Sequence, residues 1–166
     1  MRLVVRLLLL GLAVGVGVLV YRYLHPSDET RIRQQVEALA MRFSKPAAEP
    51  AAAMAVKMQR FGELFADTCE LDLQGFHGNG TFTSSEIVSH AARVRSGFHA
   101  VRLTFPDVVV RVETKTEAAA TVTARLRVDH DPSRFTEDTR EIICQLRKVD
   151  GVWRFAAFRE EMVLKR

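Results

Sequence analysis

The sequence has no run of lysine or arginine residues, although its 24 basic and 20 acidic side chains leave a net charge of +4. Basic residues are mixed with glutamates and are not interleaved with aromatic residues, a composition that does not favour nucleic-acid binding. The sequence also contains no glycine-rich phosphate loop, and no serine or cysteine stands beside a sequence-local base. We therefore expect no cofactor, no nucleic-acid partner and no nucleophilic catalysis.

One long apolar run stands out, from Leu7 to Val20. Extended to residues 3–24, with Arg6 reaching toward the interface, the segment is long enough to cross a bilayer as a helix. The 14-residue run also has the length of the apolar part of a cleaved signal peptide. No pair of small residues stands where cleavage would require it, so the sequence favours an uncleaved transmembrane anchor at residues 1–26.

Positive charges flank this apolar segment unevenly. Arg2, Arg6 and the terminal amine precede it, whereas only Arg22 follows it closely. Because positively charged flanks tend to stay in the cytoplasm, we predict a single-pass membrane protein with a cytoplasmic N-terminus. The domain at residues 27–166 would then lie outside the cytoplasm, in the periplasm if the source is bacterial.

The rest of the chain changes from helical to alternating periodicity. Apolar residues repeat at helical spacing in residues 27–43 and 52–67, and Thr83 with Glu86 predicts a capping box at the start of a third helix. One strand pattern precedes that helix, and four alternating runs follow it, at residues 99–113, 118–130, 139–149 and 152–164. This order predicts an α+β fold.

The Asp150-Gly151 pair predicts a two-residue type I′ turn between the last two strands. Counting outward from this turn pairs Val149 with Val152, Leu146 with Phe155, Cys144 with Ala157, and Ile142 with Arg159. Matching apolar faces in the preceding hairpin places Val122 beside Leu146, Ala124 beside Cys144, and Leu126 beside Ile142. These residues, with Trp153, form the predicted inner face of the sheet.

Three phrases in this order resemble the nuclear transport factor 2-like superfamily, also called SnoaL-like or ketosteroid-isomerase-like. They are "LFADTCELDLQG" after the second helix, "GNGTFTSSEIVSHAARV" into the third helix, and "DGVWRFAAF" in the final hairpin. The resemblance implies a cone-shaped, cystatin-like fold, in which a strongly curved, mostly antiparallel sheet wraps around the helices. It also implies an apolar pocket in many members, whose functions include isomerases, dehydratases, hydrolases, carriers and assembly modules.

Two classes of function stay open at this point. The first is a non-catalytic, membrane-anchored module that binds a small apolar ligand or a protein partner. The second is a small-molecule enzyme of the isomerase, dehydratase or hydrolase type. The predicted pocket residues are Phe61, Phe65, Phe105, Leu126, Cys144, Trp153 and Phe155.

The candidate catalytic residues are His99, His130, Asp72 and Arg159. His99 and His130 alternate in phase with inward residues, and a turn near residues 115–116 would bring them together as an acid/base pair near Arg159. The resemblance places Asp72 near an isomerase's aspartate base, one residue out of step. Without a third ligand in phase, the two histidines do not predict a metal site.

The chain has only two cysteines, Cys69 and Cys144, and both stand in apolar alternation. In the strand order that the resemblance implies, the last strand lies between the strands that carry them. Two strand spacings would hold their backbones roughly 9.6 Å apart, too far for a disulfide. We therefore predict two buried free thiols.

Apolar residues also fall on the outer, polar face of the predicted sheet. The predicted register places Ile143 beside Phe158, with Ala156 one row away and Met162 further along the strand. A face that meets only water has little need of such residues. We therefore predict a homodimer through this face, with Phe158 and Ile143 near its centre.

Overall fold

The computed structural model describes residues 26–73 and 79–161. These residues form helices α1 (Asp28–Phe43), α2 (Ala51–Gly62) and α3 (Ser84–Ser96). The strands are β1 (Phe65–Asp72), β2 (Gly80–Thr83), β3 (Ala100–Thr104), β4 (Val108–Val112), β5 (Glu117–Asp131), β6 (Arg134–Val149) and β7 (Val152–Glu160). The predicted α+β class is confirmed.

A single curved sheet contains all seven strands, in the order β2-β1-β7-β6-β5-β3, with β4 also paired to β5. The β1–β7 pair is parallel and the other pairs are antiparallel. The predicted strand at residues 99–113 is in fact two strands, because the chain leaves the sheet at residues 105–107. β3 and β4 therefore pair with different halves of β5.

Helices α1 and α3 begin and end where the sequence signals predict, whereas α2 ends at Gly62 and not near residue 67, because β1 begins at Phe65. Ser27 caps α1 by accepting a hydrogen bond from the amide of Thr30, and Thr83 with Glu86 forms the predicted capping box of α3. The apolar stripe of α1, at Ile32, Val36 and Leu39, is buried. Periodicity and capping therefore determine the helices locally.

Buried residues of all three helices and of the inner sheet face form one core, which runs from Ile32 to Phe158. Trp153, 1% exposed, belongs to this core, and its indole nitrogen donates to Asp28 at the start of α1 over 3.0 Å. Lys148 also donates to Asp28, over 2.8 Å. A fragment that spans residues 26–166 contains every residue of this core.

The final hairpin follows the predicted register for only half of its length. Asp150 and Gly151 both have positive φ, as a type I′ turn requires, and Leu146 pairs with Phe155 as predicted. A β-bulge then inserts Ala156 opposite no partner, so that Cys144 pairs with Phe158 and not with the predicted Ala157. Beyond this extra residue, the side chains of β7 point to the face of the sheet opposite to the predicted one.

The β5–β6 register also differs from the prediction. Val122 pairs with Ile142, and Leu126 pairs with Asp138. The predicted register is wrong by four residues, because the turn at Asp131–Arg134, and not the best match of apolar side chains, sets the pairing. A shift of an even number of residues keeps the inward face of β5 inward.

None of the described helices is both long and apolar enough to cross a membrane. The predicted anchor at residues 3–24 lies outside the described residues, as does Met162.

Candidate functional site

A cavity of about 460 Å³ lies between the three helices and the inner face of the sheet. Helix α1 contributes Leu39 and Phe43, α2 contributes Phe61, and α3 contributes Ile87, His90, Ala91 and Val94. The sheet and its adjoining segments contribute Phe65, Leu71, Leu73, Leu103, Phe105, Val122, Ala124, Leu126, Asp138, Arg140, Ile142, Cys144 and Phe158. The described walls are therefore almost entirely apolar.

Aromatic rings form one wall of the cavity. The rings of Phe61 and Phe65 meet edge to face with centroids 5.0 Å apart, and Phe43 lies 6.0 Å from Phe61. Phe158 lies 6.1 Å from Phe65 on the other side. Such ring contacts stabilise the wall beyond the area they bury, so the wall is largely preformed.

The Cys144 thiol also faces the cavity. Burial, together with the neighbouring Cys69, raises the pKa of Cys144 far above its ordinary value. Burial likewise raises the pKa of Cys69 to about 12. Both cysteines are free thiols, and at neutral pH they are uncharged and behave as apolar groups rather than as nucleophiles.

Polar side chains reach the cavity at its solvent-exposed end. Arg140 Nε donates to Asp138 Oδ2 over 2.7 Å, and Arg140 Nη1 donates to Glu160 Oε2 over 3.0 Å. Hydrogen bonds to these two carboxylates raise the pKa of Arg140 above its ordinary value. Because 54% of the Asp138 side chain is exposed, this ion-pair network marks the mouth of the cavity.

His90 is the other polar residue in the described wall. It stands on α3, half-buried, with the edge of its ring against Phe82 at 5.6 Å. The capping box at the start of α3 fixes the helix that carries it. His90 can therefore present an imidazole to a molecule in the cavity.

The structure places five of the seven predicted pocket residues in the cavity wall: Phe61, Phe65, Phe105, Leu126 and Cys144. Trp153 and Phe155 are not in that wall. They are buried in the solid core behind it, where Trp153 binds Asp28 and Phe155 packs against Phe65 and Phe158. The final hairpin therefore closes the sheet around a filled core at one end and a cavity at the other.

The predicted histidine pair does not face the cavity. His99 and His130 are both exposed, and His130 Nε2 lies 3.0 Å from Thr136 Oγ1 with its ring against Phe98. Both residues lie near the end of β5, beyond the cavity wall. The alternating pattern correctly placed the two histidines near each other at the end of neighbouring strands, but it did not predict that their side chains are exposed.

Asp72 and Arg159 also lie outside the cavity, on the outer face of the sheet. They form an exposed ion pair of 3.8 Å between β1 and β7. The prediction that Arg159 faces inward is wrong because the Ala156 bulge reverses the facing of β7 beyond it. Asp72 follows the outward alternation of β1, whose inward residues include Leu71.

Because of the same bulge, the predicted centre of the dimer interface is wrong. Phe158 is 9% exposed and lines the cavity, so it cannot stand at the centre of an outer-face interface. Ile143 pairs with Arg159 and remains on the outer face, where it is half-buried.

His90, Asp138 and Arg140 were absent from the sequence-based candidates. His90 belongs to the same helical stripe as Ile87, Ala91 and Val94, and that spacing was the available signal. Asp138 lies just before the predicted strand at residues 139–149, and Arg140 lies within it in phase with Ile142; neither was a candidate because charged side chains were not expected in an apolar wall. The described residues contain no group of three metal-binding side chains.

Comparison with known proteins agrees with this architecture. A model of the SnoaL-like domain matches residues 51–159. No functionally curated protein matches the sequence.

Several solved structures share the fold at low sequence identity. A Novosphingobium aromaticivorans protein provisionally described as a scytalone dehydratase has a TM-score of 0.64 and 14% identity, over 81% of this chain and 85% of that chain. A nuclear transport factor 2-like protein with a cystatin-like fold from the same species has a TM-score of 0.62 and 14% identity, over 93% and 90%. A Nostoc punctiforme protein of unknown function with a cystatin-like fold has a TM-score of 0.60 and 15% identity, over 81% and 90%. These likenesses concern the fold, and the family match covers well over half of the sequence. The chain therefore belongs to the SnoaL-like family and has the nuclear transport factor 2-like, cystatin-like fold.

Proposed function

We propose that this domain is a non-catalytic module that binds an apolar small molecule in the cavity of the cone. The observation that carries this proposal is the cavity of about 460 Å³ with apolar, aromatic-rich walls. A cavity of about 150 Å³ holds one benzene molecule. The cavity is about three times larger and suits a body of three or four fused rings.

The chemistry of the walls supports binding rather than catalysis. Cys144 is held as a neutral thiol, and Arg140 is engaged with two carboxylates at the mouth. The other titratable residues of the described wall are His90 on α3 and Asp138, which is ion-paired with Arg140 at the mouth. Apolar burial therefore supplies the affinity, and the polar groups at the mouth orient the ligand.

Titration of the 26–166 fragment with pyrene tests this proposal. The relative intensities of the pyrene emission bands depend on the polarity of its surroundings, so the bound probe should report an apolar environment and saturate at one site. Emission that keeps its aqueous pattern at all protein concentrations would contradict apolar-ligand binding.

Membrane attachment through residues 3–24 is also part of this proposal, with the domain outside the cytoplasm. It is supported by the apolar run from Leu7 to Val20 and its uneven arginine flanks. The full chain should then stay with membranes during carbonate extraction. Recovery of a soluble form that begins after about residue 17 would favour a cleaved signal peptide instead.

We further propose a homodimer through the outer face of the sheet, centred on Ile143 and Ala156. Ile143 supports this proposal, because it is a large apolar residue whose paired neighbours on that face, Thr121 and Arg159, are polar.

A second candidate function is a dehydratase-type enzyme, and His90 is the observation that favours it. Histidine is the side chain most often used to move protons near neutral pH. His90 could remove the proton next to a carbonyl and pass it to the β-hydroxyl, which then leaves as water and gives an enone. The relative provisionally described as a scytalone dehydratase makes this chemistry worth testing.

Absorbance of the enone distinguishes the two candidates. If the domain is a dehydratase, it should dehydrate a two- or three-ring β-hydroxy ketone faster than buffer does, and His90→Gln should lose that acceleration. If the domain only binds its ligand, the rate of dehydration with the parent or with His90→Gln should equal the rate in buffer.

A further inference from the structure

A second depression adjoins the cavity on the other side of Phe105. It is a groove of about 330 Å³ between α1 and the β3–β4 edge of the sheet. Its lining includes Arg33, Glu37, Met41, Leu103, Phe105 and Val108. Leu103 and Phe105 line both spaces, so these two side chains are the partition between the cavity and the groove.

The partition stands where the sheet edge is broken. β3 ends at Thr104 and β4 begins at Val108, so Phe105 belongs to neither strand. Phe105 is half-buried, and it makes no ring contact with another described aromatic residue. Phe105 packs against the edge of the core but lies between two strands, so its side chain can change rotamer without breaking a backbone hydrogen bond of the sheet.

The groove differs from the cavity in its chemistry. Arg33 and Glu37 give it charged groups, but the Arg33 guanidinium is already engaged with Glu29 and with the carbonyl oxygen of Val108. Glu37 makes no hydrogen bond or ion pair with a described residue. The carboxylate of Glu37 is therefore available to accept a hydrogen bond from a ligand.

We propose that the cavity and the groove form one two-part site for an elongated, amphipathic ligand. Its fused-ring body fills the cavity, and a short tail passes Phe105 so that a terminal hydroxyl or amine donates to Glu37. This inference rests on the proposed binding function and adds the class of ligand, a ring system that carries a hydrogen-bond donor on a flexible arm.

Two fluorescent probes test this arrangement on the 26–166 fragment, which contains the whole buried core. 1-Pyrenebutanol and 1-butylpyrene share the ring body and the four-carbon tail, and only the former has a terminal hydroxyl. Wild-type protein should bind the alcohol about tenfold more tightly, as expected for a hydrogen bond to a charged acceptor.

Substitution at Glu37 should remove that difference. Glu37→Met should weaken 1-pyrenebutanol about tenfold and leave 1-butylpyrene unchanged. The control Glu63→Met removes the same charge from an exposed position outside the groove and should change neither affinity. The methyl carbon signal of Met41, which lines the groove, should shift with either tailed probe and not with pyrene itself.

The outcomes separate this inference from the proposed function. If pyrene binds but Glu37→Met affects both tailed probes equally, or Met41 does not respond to them, the two-part site is overturned and the cavity proposal stands. If no pyrene probe binds, the proposed function fails and the two-part site fails with it.

Discussion

Replacing Glu49 with glutamine should destabilise the domain strongly, because Glu49 neutralises a fully buried arginine. Arg95 of α3 is 0% exposed, and its Nη2 donates to Glu49 Oε2 over 2.6 Å. Lys57 of α2 donates to the other carboxylate oxygen over 2.7 Å. Arg95 and Lys57 also donate to the carbonyl oxygen of Ser44, which caps α1. The cluster therefore joins the three helices that cover the cavity.

The expected loss of unfolding free energy follows from the burial of Arg95. Glutamine has nearly the shape of glutamate, so the substitution removes the counterion and leaves the packing in place. Removing one partner of a buried ion pair costs about 3–5 kcal/mol. We expect about 3 kcal/mol, the lower end of that range, because Lys57 is partly exposed and can regain water.

Urea unfolding of the 26–166 fragment measures this loss. Glu63→Gln, which removes an exposed carboxylate, should change stability by no more than about 0.5 kcal/mol. The double variant Glu49→Gln/Arg95→Met should recover most of the loss, since it removes the unpaired charge as well. A loss below about 1 kcal/mol for Glu49→Gln would refute the argument, because a surface ion pair contributes no more than that.

Three further predictions concern acid stability, the thiols and the outer face of the sheet. Burial raises the pKa of Glu49, but the hydrogen bond from Lys57 and the charge of Arg95 outweigh it and leave the pKa below its ordinary value of 4.5. The ionised Glu49 carboxylate therefore stabilises the fold fully above pH 4.5, and this stabilisation is lost as the pH falls through the folded-state pKa. The difference in unfolding free energy between the parent and Glu49→Gln should then become smaller in acid. A difference that does not change with pH would count against the ion pair. Mass spectrometry should find Cys69 and Cys144 protected from alkylation in the native protein and both alkylated after unfolding, whereas a mass two hydrogens lower would reveal a disulfide. Ile143→Asp should convert the proposed dimer into a folded monomer in sedimentation, and a parent that is already monomeric at tens of micromolar would rule the dimer out.

Local signals in the sequence were sufficient for the bounds of α1 and α3 and for one turn. The stripe of Ile32, Val36 and Leu39 and the Thr83 cap are read from neighbours within one or two helical turns. Asp150-Gly151 likewise needs only its own backbone preference. Because these features depend on local contacts, the sequence alone predicts them well.

The positions of the cavity residues depend on a bulge and a turn, which the alternating pattern of apolar residues does not reveal. A bulge at Ala156 brings Phe158 inward and sends Arg159 outward, and the spacing of three between Phe155 and Phe158 was its trace in the sequence. The turn at residues 131–134 set the β5–β6 register and carried Asp138 to the cavity mouth. Strand pairing is a long-range property, so one inserted residue changes every inward side chain beyond it.

If an apolar ligand binds in the cavity, filling the cavity with a larger side chain must weaken its binding. Ala124 lies in the cavity wall on β5, and Ala119 lies on the outward face of the same strand. A phenyl ring at residue 124 would occupy roughly a third of the cavity, by comparison with the space that benzene needs. We expect Ala124→Phe to weaken pyrene binding at least tenfold and Ala119→Phe to leave it unchanged. Equal affinity in both variants and the parent, all folded by circular dichroism, would show that the ligand binds elsewhere.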